Sequence, residues 1–131
     1  MGQPIIKNYD AEIDTAALVI VARGAGAGTV TAAVSGDAKP IGITTIVGSK
    51  AGQPIDVVLS GITPLKLAGP VGVGDFIAAG PSGQGLLAGP PAGVSGRVIA
   101  MAVEDGIVGD VIDVLVLPGL ITTPAAEDPG V

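Results

Sequence analysis

Gly42-Ile43-Thr44-Thr45-Ile46-Val47-Gly48-Ser49-Lys50-Ala51-Gly52-Gln53-Pro54-Ile55-Asp56-Val57-Val58-Leu59 reads as strand, turn, strand. Runs rich in Ile, Val and Thr flank a segment punctuated by Gly48, Gly52 and Pro54, which is how a hairpin is written in sequence. The pattern returns as Ile99-Ala100-Met101-Ala102-Val103-Glu104-Asp105-Gly106-Ile107-Val108-Gly109-Asp110-Val111-Ile112-Asp113-Val114-Leu115-Val116. At a constant, gap-free offset of 57 positions, Gly52 meets Gly109, Ile55 meets Ile112, Asp56 meets Asp113 and Val57 meets Val114. Further out, Ile20 meets Ile77, Ala22 meets Ala79, Gly26 meets Gly83 and Gly28 meets Gly85. Residues 18–61 therefore map onto 75–118, and an internal duplication with pseudo-twofold symmetry is expected.

Other strands flank these. Leu18 to Ala22 and Thr29 to Val34 are short β-branched runs separated by the turn Arg23 to Gly28, and Ser35 to Ala38 closes the second. Ile62 to Leu67 contains Pro64, which cannot donate to a ladder and so predicts an edge. Phe76 to Ala79, Leu86 to Ala88, Arg97 to Val103 and Val111 to Leu117 complete the set, with a Pro-rich loop from Gly89 to Gly96. Gly and Pro recur too often for a helix of three turns. The expected fold is all-β, a compact β-barrel or β-sandwich. Residues 1–14 read as an extended N-terminal arm or edge strand, 15–121 as a single β-domain, and 122–131 as a flexible C-terminal tail.

Composition supports this. Gly is 22 and Pro 11 of 131 residues, yet 48% are hydrophobic, which separates the chain from disordered Gly/Pro-rich sequences. Tyr9 and Phe76 are the only aromatic residues, so the core must be Val, Ile, Leu and Ala. Net charge is −6 and the six cations are scattered, so no direct nucleic-acid binding is expected. The first ten residues lack the apolar core of a secretory signal. No apolar stretch reaches the ~20 residues of a membrane span, so no membrane partner is expected. Both faces of Ile112 to Leu117 are largely apolar, which points to a subunit contact as well as a core.

The chemistry-bearing residues form no catalytic pattern. His and Cys are both absent, which removes the commonest general base and two metal ligands. Arg23-Gly24-Ala25-Gly26-Ala27-Gly28-Thr29 lacks the Gly-Lys-Ser/Thr of a phosphate loop and leads into a strand. Asp10, Glu12 and Asp14 alternate, but lack the glycine and terminal Glu of an EF-hand loop. Of Glu104, Asp105, Asp110 and Asp113, only the last has a carboxylate counterpart in the first copy, Asp56. Ser49 and Lys50 are adjacent and would face opposite ways in a strand. No enzyme activity, cofactor or metal is expected.

The order of these elements resembles the small capsid decoration (cement) proteins of tailed bacteriophages. The residues that carry the resemblance are Pro40 to Thr44, Ala51 to Gly61, Gly74 to Ile77, Leu86-Leu87, Val98 to Val103 and Gly109 to Val116. It spans roughly residues 18–118. It implies a structural virion protein on the capsid exterior, made in the host cytoplasm. Such a protein stabilises the shell by clamping neighbouring major capsid proteins. It also implies a homo-oligomer, a trimer above all. The contact candidates are Ile5, Ile6 and Tyr9 on the arm, Ile62, Leu65 and Leu67 on the edge strand, and Lys50 on the hairpin Thr44 to Pro54. The arm would act by strand addition. The alternative is a β-domain of a phage tail or fibre, or another binding module. A carbohydrate-binding version is weak because an aromatic platform is missing.

Overall fold

The computed structural model describes residues 4–33, 39–89, 93 and 95–122. Nine strands follow in order: β1 (Ile5–Ala11), β2 (Ile20–Arg23), β3 (Thr29–Ala32), β4 (Pro40–Thr44), β5 (Pro54–Lys66), β6 (Phe76–Ala79), β7 (Gly85–Leu87), β8 (Ser95–Ala102) and β9 (Val111–Thr122). A single 3₁₀ turn, Pro81–Gly83, is the only helical element among the described residues, and no helix is long and apolar enough to cross a membrane. The turn read at Ser35 to Ala38, residues 90–92 and 94 of the loop Gly89 to Gly96, and the tail from residue 123 lie outside the described residues.

The first half of the chain is a closed five-stranded barrel with strand order β1-β3-β2-β4-β5 and a β1–β5 ladder that shuts it. Alternation along each strand sends one set of side chains inward. Ala11, Val19, Val21, Val30, Ile55 and Val57 fill the interior, with Tyr9, Ile41 and Leu59 packed against them. Thr44 is buried there too. Its hydroxyl donates to the Ala16 carbonyl at 3.0 Å and accepts from the Val19 amide at 3.0 Å, so burial leaves it satisfied.

The second half repeats this plan with order β5-β9-β8-β6-β7. The far end of β5 (Gly61–Lys66) stands where β1 stands in the first barrel and is laddered to β9. The closing contact is a parallel bridge between Leu67 and Gly85, counterpart of the parallel β1–β3 pairing. Leu65, Leu67, Ile77, Ala79, Ala100, Ala102, Ile112 and Val114 are buried in this half.

The duplication is thus real but larger than the sequence suggested, and it is not gap-free. The N-terminal segment is no free arm; it is β1, the first strand of the first copy, paired to β5 from Ile5 to Asp10. Its counterpart is the expected edge segment Ile62 to Leu67. That segment is laddered to β9 alone from Ile62 to Lys66, with Pro64 inside the one-sided stretch, and only Leu67 at its end is bridged on the other side, to Gly85. In register, Ile20 pairs with Ile43 and Ile43 with Val58, whereas Phe76 pairs with Met101 and Met101 with Leu115. The equivalent residues are therefore 56 apart in β2, 58 in β4 and 57 in β5. The hairpin turns match most closely. Gln53 N–H donates to Lys50 O and Asp110 N–H to Ile107 O, each at 3.0 Å. Gly52 N–H reaches Ala11 O at 2.7 Å and Gly109 N–H reaches Leu67 O at 2.9 Å.

Close packing leaves little room in the first barrel. A Cβ on Gly42 would collide with the Val58 carbonyl and lie 2.5 Å from Val57 Cγ1. Gly42→Ala is expected to cost about 1–3 kcal/mol, the usual range for overpacking, read as a lower urea midpoint at unchanged slope. Removing residues 4–11 would open the barrel, so this truncation is expected to abolish cooperative unfolding rather than yield a folded core lacking an arm.

Candidate functional site

The hairpin between β4 and β5 is built by local hydrogen bonds. Thr15 and Ser49 form an isolated antiparallel bridge, with both N–H···O bonds at 2.8 Å. Ser49 Oγ donates to Pro54 O at 2.7 Å, and Ala51 N–H donates to Asp14 Oδ1 at 2.9 Å. Lys50 Nζ lies 3.7 Å from Asp14 Oδ2, with both side chains largely in solvent. A shallow groove of about 610 Å³ runs between Asp14–Ala16 and Gly48–Lys50. A second, of about 240 Å³, lies on the other side of the hairpin between Asn8, Val47 and Asp56. Between them the hairpin lifts Ile46 and Val47 into solvent, 75% and 67% exposed.

The carboxylates serve as loop ties. Glu12 Oε1 accepts from Ala25 N–H at 2.6 Å, Asp105 Oδ1 from Val73 N–H at 2.9 Å, and Asp110 Oδ2 from Ile107 N–H at 3.0 Å. Asp56 accepts from the Asn8 side-chain amide at 3.1 Å. The Glu12 contact bears on the glycine-rich turn after β2. A loop amide that a phosphate would need is occupied by a carboxylate of the same chain. Among the described residues, no three His, Cys, Asp or Glu side chains come together as a metal site would require. What this surface offers a partner is shape, backbone polarity and apolar side chains.

The sequence-derived contact candidates separate into three groups. Ile5, Ile6 and Ile62 are exposed at 59%, 49% and 48%. Lys50 is exposed at the hairpin tip, whereas Tyr9 is half-buried against the first barrel's core with Lys7 Nζ 5.6 Å from its ring centre. Leu65 and Leu67 are wholly buried, which corrects their assignment as contacts: alternation sends them into the second core. Ile46 and Val47 lie in the hairpin Thr44 to Pro54 already expected to make contacts, whereas Ile107 and Val108 were not among the candidates, although they sit beside the turn glycine Gly109, where a solvated turn would carry polar residues.

No protein-family model and no curated protein sequence matches the chain. Among solved structures, the fold is similar to the head fiber gp8.5 N base in bacteriophage phi29. The TM-score is 0.67 at 16% sequence identity, over 88% of this chain and 95% of that one. The two share a fold.

Two substitutions separate core from surface. Leu67→Ala is expected to cost about 2–5 kcal/mol in chemical unfolding, as buried leucines do. Lys50→Ala is expected to cost no more than about 1 kcal/mol, because an exposed ion pair is worth little.

Proposed function

We propose that this chain is a structural protein of a phage virion, seated on the outer surface of the head and bound to the major capsid protein. The observation that carries this reading is the similarity to a head-fibre base over nearly the whole of both chains. The surface chemistry agrees with it. Two barrels present hairpin tips with exposed apolar pairs, Ile46-Val47 and Ile107-Val108, and carboxylates that brace loops. Such contacts suit docking against another protein.

The mechanism is linkage. A protein that binds only the assembled shell stabilises it by mass action, and contacts repeated over a lattice add through avidity. By clamping neighbouring capsid proteins, the chain would raise the cost of losing any one of them. A second reading has its own support, since the similar structure is a fibre base: the chain would then be the foot of a projecting fibre. In both readings the site of action is the head exterior.

The test is co-sedimentation of purified protein with heads stripped of it, followed by electron cryomicroscopy of the particles. Saturable binding is expected. Replacing Ile46 and Val47 together by Asp is expected to weaken it by about tenfold or more, the effect of losing one interface hot spot. Their exposure should leave the melting temperature unchanged. Density at repeated lattice positions fits decoration, and sparse density bearing a projection fits a fibre base. No binding to stripped heads would overturn the proposal.

A further inference from the structure

The duplication supplies its own template for an unfilled interface. In the first barrel, Ile20, Ile43, Val58 and Ile6 lie side by side across β2, β4, β5 and β1. The row points away from that barrel's interior, since the neighbouring residues Val21 and Val57 fill it. Yet Ile20, Ile43 and Val58 are 0–2% exposed, because the second half of the chain covers them. They share one apolar cluster with Leu65, Ile77 and Ile99 of that half. The turn between β6 and β7 is seated directly on β2: a Cβ on Gly83 would lie 2.5 Å from Ile20 O and 3.1 Å from Val19 Cβ.

The second barrel carries the same row in the same register. Phe76 pairs with Met101, Met101 with Leu115, and Leu115 with Ile62, across β6, β8, β9 and β5. All four are apolar, and among the described residues nothing covers them as the second half covers Ile20, Ile43 and Val58. Phe76 is 39% exposed and Met101 and Leu115 are half-buried, against 0–2% for their counterparts Ile20, Ile43 and Val58, whereas Ile62 at 48% matches Ile6 at 49%. The patch widens to Val103 and Leu117, both also exposed. It holds the only Phe of the chain and one of its two Met, residue types enriched at the centres of protein interfaces.

We infer that this face is covered by a second copy of the chain, whose first barrel docks as the second barrel docks within one chain. The element that fits is the turn between β2 and β3, Gly24 to Gly28, counterpart of the turn that holds Gly83. Ala25, Gly26, Ala27 and Gly28 are exposed and uncharged, so the turn can lie flat on β6 beside Phe76. The contact is heterologous: one copy presents the face and the next presents the turn, and repetition builds a ring or a fibre rather than an isologous pair. The docking element is of this chain's own fold, which is why a second copy, and not the capsid protein, is the occupant.

The experiment is light scattering on size-exclusion fractions, free of any phage component, so its outcome is independent of head binding. Wild type is expected at a multiple of the 12.5 kDa chain mass. Met101→Lys, on the face, and Ala27→Glu, on the turn, are each expected to give monomer. Both should retain the wild-type circular dichroism and melt; if Met101→Lys does not, Phe76→Ser replaces it as the face variant. Because each variant keeps one intact surface, an equimolar mixture of the two is expected to give a dimer and nothing larger. Monomeric wild type, a face or turn variant that stays oligomeric, or a mixture that stays monomeric would each overturn the proposal. Monomeric wild type combined with loss of head binding in Met101→Lys would assign the face to the capsid protein instead.

Discussion

Both barrels depend on one strand. β5 runs thirteen residues without interruption, and it changes partners part-way. Up to Ser60 it is laddered to β1 and β4; from Gly61 onward it is laddered to β9. A strand leaving one curved sheet for another must turn sharply, and Gly61 makes the turn at a φ of 102°. A side chain there would meet two obstacles: this backbone region is costly for L residues, and a Cβ would lie 2.8 Å from Pro4 Cα. Because the barrels share a strand instead of a linker, their relative placement is set by hydrogen bonding. Lys66 N–H donates to Leu18 O at 3.0 Å across the junction and reinforces it.

That junction bond involves a strained residue. Leu18 has a φ of 62°, a region that costs a non-glycine residue roughly 1–2 kcal/mol. Its counterpart in the second copy is Gly74, with a φ of 88°. Both positions donate their N–H to a carbonyl of the neighbouring strand's end, Leu18 to Thr45 O at 3.1 Å and Gly74 to Ala102 O at 2.8 Å, one residue apart in register. The backbone shape has thus been kept in both copies while only one retains the residue that adopts it without strain. At Leu18, the bonds on its N–H and its C=O hold the conformation in place.

The succession of strands along the chain and the duplication were legible because β-branched runs and turn glycines recur together. The face assignments were not. A gap-free comparison sets Ile20 against Ile77, but Ile20 points outward under the second barrel and Ile77 inward, and a slip of one residue reverses every face. β1 was legible only as an arm or edge strand, for a different reason. Lys7, Asn8 and Asp10 interrupt it, its two isoleucines are exposed, and it is held by its ladder to β5 with only Tyr9 and Ala11 reaching the core. The proposed contact surface was the least legible part. It consists of apolar residues that look like core in sequence, and only the register separates buried Leu65 from exposed Ile62.

The two equivalent rows differ in the kind of side chain they use, and the difference has a physical meaning. Ile20, Ile43 and Val58 are all β-branched, with few rotamers to lose, as suits a surface covered once and permanently during folding. Phe76, Met101 and Leu115 are unbranched at Cβ, and one of them is a flexible thioether that adapts to the surface it meets. After duplication, the copies faced different demands at the same place. Ile20, Ile43 and Val58 became core, where a fixed shape matters most. Phe76, Met101 and Leu115 stayed at the surface of the finished chain, where adaptable side chains would suit the contact proposed above. A row that had simply lost its partner would be under pressure to gain charge, since an exposed apolar face invites indiscriminate association. In a chain with a net charge of −6, keeping its only Phe there is hard to reconcile with a bare, functionless surface.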